Sequence, residues 1–384
     1  MPACLLALRR LGRAGAIAWM LSCPALARAQ DAATPGIAGR YITDLIGDVS
    51  GGRQRGAAWL GRLDVMADSH EGVFGIPGAQ LHLDLFLLHG RSFSIRNAGD
   101  AQVASNIDAP SAFRPFEAWI AAPITPVVRA KAGLIDLNSE FDQQSLGDLF
   151  LNSSFGIGPD FSQSGRNGPS IFPVTSPGLV LIASDGRRTA RIAVFDAVAG
   201  DEAHPGRFLP GALGRGGALF AGEVEVPIAT GKAHVGVWRY TDRFDSIDGT
   251  GRGHSDGGYA QIEQRLLGRE DGAALRGWLR IGLASDRVNA IGTYAGGGIS
   301  YGDKDRTVGF AIAHARLGDP ARRIDEARRA ETSFELVALH RLTSHLVVQP
   351  DLQYIRHPGW VRDRRDALVL ALRFRIALFG AAGD

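Results

Sequence analysis

Beyond residue 29 the chain contains no cysteine; Cys4 and Cys23 both lie in the first 29 residues. That absence excludes disulfides and thiolate metal sites from the rest of the chain. Nor is there any run of 18 apolar residues after residue 29, so no transmembrane helix is expected. Lysine is nearly missing, with Lys131, Lys232 and Lys304 the only three, and arginine carries almost all the positive charge. The ten histidines show no H-x-x-x-H or paired metal spacing, and His82, His234 and His340 fall at positions expected in a wall. Neither a phosphate-binding glycine loop nor a CxxC pair is present. No cofactor and no metal are therefore expected.

The first 29 residues read as a removable export signal. Arg9, Arg10 and Arg13 form the positive region, Ala14 to Ala27 the apolar one, and Ala27-Arg28-Ala29 the cleavage site before Gln30. A lipoprotein reading at Leu21-Ser22-Cys23 is poorer, with Met20 at the usual leucine position. Removing the leader's four arginines leaves 38 basic against 40 acidic residues. That balance is no footprint for nucleic acid. Glycine is abundant, at 50 of 384 residues, roughly twice the usual share. An exported, cysteine-free, glycine-rich chain without spanning helices is either a soluble periplasmic protein or an outer-membrane β-barrel.

Periodicity decides between them. Segment after segment alternates apolar and polar residues, the pattern of a strand with one lipid face and one lumen face. Leu81, Leu83, Leu85 and Leu87 oppose Gln80, His82, Asp84 and Phe86; Leu279, Ile281 and Leu283 oppose Arg276, Trp278 and Arg280. In the last segment Leu368, Leu370, Leu372, Phe374, Ile376 and Leu378 share one face, with Arg373 and Arg375 on the other. Strands are expected near 40–49, 57–66, 80–88, 115–122, 127–135, 178–184, 188–197, 217–228, 232–241, 257–267, 275–285, 292–301, 306–316, 331–341, 345–355 and 366–379. The predicted fold is all-β, a 16-stranded antiparallel transmembrane barrel filling residues 30–384 as a single domain. Short turns, such as Asp185-Gly186-Arg187, alternate with longer loops, and the short ones are expected on the periplasmic side. Two connections fit less well: 286–291 is short for an outer loop and 67–79 long for a turn.

Sixteen strands enclose a lumen too wide for side chains to fill. The irregular segment 136–177, after the fifth strand, is the candidate to fold inward and narrow it. Its phenylalanines, Phe141, Phe150, Phe155, Phe161 and Phe172, would anchor such a constriction, while Asp160, Gln163, Arg166 and Asn167 would present polar groups to the channel. The alternative is an outer lid packed on neighbouring loops. Strand parity points Asp84, Glu117, Arg129, Lys131, Arg191, Glu223, Glu225, Glu263, Arg280, Glu335, Asp351, Arg373 and Arg375 into the lumen. There they would either meet solute hydroxyls or satisfy one another across the wall.

The segments LIDLNSEFD (134–142), LFLNSSFGIGPDFSQSG (149–165) and GPSIFPVTSPG (168–178) resemble the carbohydrate-selective porin family (OprB-like). GDVSGG at 47–52, RSFSIRNAGDAQVASNI at 91–107 and QPDLQYIRHPG at 349–359 extend the resemblance over nearly the whole chain. It implies an outer-membrane porin through which small sugars such as glucose diffuse to the periplasm, with a lumen of both charge signs. The partners implied are those sugars, outer-membrane lipid and lipopolysaccharide, the outer-membrane assembly machinery and a homo-oligomer, monomer or trimer being left open; nucleic acid is not among them. One departure is the tail, where Phe379 is followed by Gly-Ala-Ala-Gly-Asp. Competing readings are a general small-solute porin, an outer-membrane enzyme and a soluble sugar-binding β-protein. The enzyme reading rests on Gly298-Ile299-Ser300-Tyr301-Gly302, a nucleophile-elbow pattern that needs a strand–turn–helix setting; an alternating strand follows it instead, so no catalytic residue is assigned.

Overall fold

The computed structural model describes residues 36–200, 216–269, 272–324 and 327–380. The expected leader and the last four residues of the tail lie outside the described residues. The strands are β1 Gly36–Gly52, β2 Gly56–Asp68, β3 Gln80–His89, β4 Ala112–Thr125, β5 Val128–Ile135, β6 Ser176–Ser184, β7 Thr189–Asp196 and β8 Ala218–Ile228. They continue as β9 Gly231–Asp245, β10 Arg252–Gly268, β11 Ala274–Ala284, β12 Ile291–Gly302, β13 Arg306–Leu317, β14 Ala330–Thr343, β15 Leu346–Arg356 and β16 Arg365–Phe379. Each pairs antiparallel with its sequence neighbours, and β1 pairs with β16 to close the barrel.

Alternation sets the two faces of every strand. On β11, Leu279, Ile281 and Leu283 are exposed on the outer surface, whereas Trp278 and Arg280 between them are buried. On β8, Phe220 and Val224 face out and Glu223 in. Outward aliphatic side chains exposed to this degree would be untenable in water; they form the band that meets lipid hydrocarbon.

The connections sort by length. At the end where β1 begins and β16 ends, most links are two to four residues. In two of them an aspartate caps the turn: Asp185 accepts from the amides of Arg187 and Arg188 at 2.9 and 2.7 Å, and Asp303 from those of Asp305 and Arg306, both at 2.9 Å. The link 269–273 has five residues, and the longest is 69–79, which holds a short 3₁₀ turn, Val73–Gly75. The opposite end carries the longer connections, 90–111, 136–175 and 197–217 among them, and by length it is the extracellular end.

Candidate functional site

The long segment after β5 is fastened inside the barrel, with Arg280 of β11 at the centre of the fastening. Its Nε and Nη2 donate to the two carboxylate oxygens of Asp142 at 2.7 and 2.6 Å, and Nη1 donates to Asp160 at 2.6 Å. All three side chains are buried, and the guanidinium lies 5.1 and 5.3 Å from the rings of Tyr259 and Tyr294. Two carboxylates on one planar fork use the bidentate geometry only arginine offers. Glycine makes room for it. A Cβ on Gly158 of the loop, or on Gly282 of the wall, would overlap both the Arg280 fork and the Asp160 carboxylate.

Asp142 has a left-handed backbone, φ 55°, and its amide donates to Glu223 of β8 at 2.8 Å. Tyr259 donates to the same carboxylate at 2.6 Å. Further along, Glu263 accepts from the Leu146 amide at 3.3 Å, and Gln349 donates to the Leu149 carbonyl at 3.1 Å. Glu335 accepts from the amides of Leu151 and Asn152 at 2.5 and 3.0 Å, and Tyr294 donates to the Ser154 carbonyl at 2.7 Å. An irregular segment has backbone donors and acceptors that no ladder satisfies; here the inward side chains of β8 to β15 supply the partners. The phenylalanines pack the same way. Phe141, Phe150, Phe155 and Phe161 are fully buried, Phe155 edge-on to Trp278 and Phe161 stacked 4.9 Å from Trp238. Phe172 is half-buried beside Phe86 and Phe116.

A second segment, 90–111, is fastened to the next stretch of wall, and the sequence reading missed it. Glu331 of β14 accepts from the amides of Ala101 and Gln102, both at 2.9 Å, and from that of Gly359 at 2.5 Å. Gln353 of β15 donates to the Ala104 carbonyl at 2.7 Å. Ser105 donates to Asp44 at 2.6 Å, and Asp44 is held by both arms of Arg373 at 2.7 Å. The two segments also join each other: the Asn106 amide donates to Leu151, and the Ser153 amide donates to Val103, whose backbone has φ 60°, rare for a β-branched residue. Asp100, in this loop and nearly buried, has its carboxyl pushed up to about 7 by burial, with Glu331 adding to the shift. Asp136, at the start of the other loop, is likewise raised to about 7 by burial and by Glu117.

Part of the inner wall of β1 to β9 stays open to solvent. Arg62 of β2 donates to Asp64 at 2.6 Å, lies 3.5 Å from Asp84, and faces the rings of Phe86, Phe116 and Phe172 at 4.9–5.4 Å. Lys131 of β5 reaches Glu140 at 3.0 Å and Glu117 at 3.8 Å, and sits 4.2 Å over Trp119. Arg191 of β7 contacts Glu223 at 3.1 Å and Glu225 at 3.6 Å. Side-chain exposure reaches 31% at Arg40, 21% at Glu225 and 28% at Lys232. Both charge signs alternate round this arc.

Residues 54–378 match the family model described as carbohydrate-selective porin, OprB family. The chain belongs to that family. Among solved structures, it is similar to the high-pH structure of Pseudomonas putida OprB, with TM-score 0.80 and 17% identity over 89% of this chain and 94% of that one. The low-pH structure of the same protein gives TM-score 0.56 and 14% identity, over 89% and 92% of the two chains. A triple mutant of the Rhodopseudomonas blastica porin gives TM-score 0.50 and 11% identity, over 90% and 100%. At these identities the likeness is one of fold. No curated protein sequence matches the chain.

As an OprB-family porin the chain is an outer-membrane channel for carbohydrates. Within it, the residues singled out by strand parity fall into two groups. Glu223, Glu263, Arg280, Glu335, Asp351 and Arg373 are buried, the first four touching the long loop and Arg373 the segment 90–111 through Ser105. Asp351 accepts from Gln353 at 3.0 Å. Asp84, Glu117, Lys131, Arg191 and Glu225 lie on the arc, and Arg129 donates to Gln80 at 2.6 Å. Arg375 donates to the Asp148 carbonyl at 3.1 Å. In the loop, Arg166 and Gln163 are exposed, but Asp160 is turned to the wall: its carboxylate is consumed by Arg280 and cannot meet a solute. Arg40, Asp44, Arg62, Asp64 and Glu331 were missed, along with Gln349 and Gln353; inward parity on β1, β2, β14 and β15 was the available signal. Ser300 is buried within β12, two residues before the strand ends, and a short turn leads on into β13 rather than into a helix. Among the described residues no group of three or more His, Cys, Asp or Glu side chains is arranged to hold a metal ion.

Proposed function

We propose that small sugars, monosaccharides foremost, cross this porin passively along the inner wall of β1 to β9, through a constriction built by 136–177 together with 90–111, and that the chain catalyses no reaction. The observation that carries this reading is the division of the wall. From β10 to β16, Glu263, Arg280, Glu335 and Arg375 are spent on the long loop, whereas from β1 to β9 charges of both signs keep part of their side chains open, at Arg40, Arg191, Glu225 and Lys232. A neutral polyol needs such fixed partners, each contact weak enough to release it. Trp119, stacked on His82 at 4.9 Å on the same arc, adds an apolar edge suited to a pyranose ring.

Liposome swelling tests the route. With Arg40→Ala and Glu225→Ala combined, glucose-driven swelling should fall at least about twofold while ion conductance is kept or raised, since bulk is removed but partners for hydroxyls are lost. Swelling by glucose that matches the wild type, or that never exceeds swelling by amino acids of similar size, would leave a general small-solute porin instead.

A further inference from the structure

The outer surface of β13 to β16 changes character in register as it rises to the extracellular end. Phe310, Leu336, Leu352 and Leu370 pair across the four strands as one apolar row. In the next outward row Phe334 and Tyr354 stand with ring centres 6.3 Å apart, the aromatic level that marks a membrane interface. Above it lie His314, Thr332 and Arg356, again in register, and then Arg316 opposite Ala330.

Arg316 and Arg356 are both exposed, and among the described residues neither makes a hydrogen bond or an ion pair. That sets them apart from the guanidiniums of Arg62, Arg191, Arg280 and Arg373 inside the barrel, each of which is paired. Among the described residues the one acid on their face, Asp366, already accepts from the Tyr354 hydroxyl at 2.6 Å and the His357 amide at 2.9 Å. Strand spacing and rise put the two arginine Cα atoms roughly 12 Å apart, and the small side chain of Ala330 leaves the ground between them open. Two arginine arms can therefore converge on one anion. His314, held to Thr332 at 2.8 Å, offers its free ring nitrogen beside them.

We propose that this patch binds a phosphate on the headgroup of an outer-leaflet lipid, the phosphorylated diglucosamine of lipopolysaccharide. The height argues for a lipid rather than a soluble anion: Arg356 sits in the row above the aromatics and Arg316 in the next, where headgroup phosphates lie, and the acyl chains would run down over the apolar row beneath. Arginine forks match phosphate oxygens bidentately.

Native mass spectrometry of the detergent-solubilised porin tests this, with diphosphoryl lipid A, its dephosphorylated counterpart and inorganic phosphate as probes. The wild type should hold diphosphoryl lipid A at least about tenfold more tightly than the dephosphorylated lipid. R316Q with R356Q should lose that preference, R316K with R356K should keep most of it, and ion conductance should stay unchanged in both. Equal affinity of the wild type for the two lipids would overturn the proposal even if a variant failed to fold. So would competition by inorganic phosphate at the lipid's own concentration, which would make the patch a simple anion site.

Discussion

Arg280 and Asp142 stand 138 positions apart in the chain, yet they form a bidentate pair at 2.6 and 2.7 Å from which solvent is excluded. The pair joins the wall to the loop, and the same guanidinium takes Asp160 as well. Such a buried fork gives little net stability over an apolar substitute, but removing one side strands the other charge in low dielectric.

Arg280→Met leaves two buried carboxylates without a counter-charge, at a cost of about 3–5 kcal/mol. The loop should leave the wall rather than stay buried with that cost. Planar-bilayer recordings are expected to show larger, noisier single-channel currents, while heat-modifiable migration still reports a closed barrel. Gly282→Ala, which crowds the same fork, should give a milder form of this behaviour.

Glu331→Ala removes the acceptor shared by the amides of Ala101, Gln102 and Gly359. Each buried donor left unpaired costs about 1–3 kcal/mol. Hydrogen exchange at these three amides should accelerate by at least about tenfold, with the strand ladders unchanged. Protection retained at Ala101 and Gln102 would mean the segment is held by other contacts.

The strands were legible because each one presents one face to lipid and one to the lumen, which writes a period of two into the chain. Their ends were less so. β1 runs over 36–52 and β10 over 252–268, beyond the alternating cores at 40–49 and 257–267, because backbone pairing continues past the lipid band where side-chain polarity is no longer constrained. On β4 a register shift opposite Asp84 and Leu85 interrupts alternation between Pro115 and Glu117, hiding the strand's first residues. Five phenylalanines in one loop signalled that it packs against something, but nothing local could reveal that Asp160 pairs with Arg280, 120 positions away. The segment 90–111 is hidden for a related reason: its partners include the neutral Gln353, which no charge marks in the sequence.

Acidity should tighten the loops. Asp100 is raised to about 7 in the folded chain by burial, against about 3.9 for an unfolded aspartate. A raised value means the folded state binds the proton more strongly, so this contribution is complete below about pH 4 and is lost as pH rises through about 7. The thermal midpoint of the refolded porin is expected to fall from pH 4 to pH 8, and Asp100→Asn should flatten that slope. A wild-type midpoint that rises over the same interval would contradict it.

Deleting residues 153–170 removes Phe155, Asp160 and Phe161 but spares 90–111 and its links to Glu331 and Gln353. Conductance should rise and sugar discrimination weaken, though not to the level of an unobstructed 16-stranded barrel, because the second segment still occupies its part of the lumen. An unchanged conductance would make the loop an outer lid.

The absence of cysteine after residue 29 permits the most direct measurement. Single cysteines placed at Arg40 and Glu225, on the exposed arc, and at Ala313, an inward position of β13 buried under the loops, can be challenged with a membrane-impermeant thiol reagent during bilayer recording. Current should drop on labelling at positions 40 and 225, glucose should slow that labelling, and position 313 should not respond. Rapid block at 313 with none at 40 or 225 would place the pathway on the opposite wall and contradict the account.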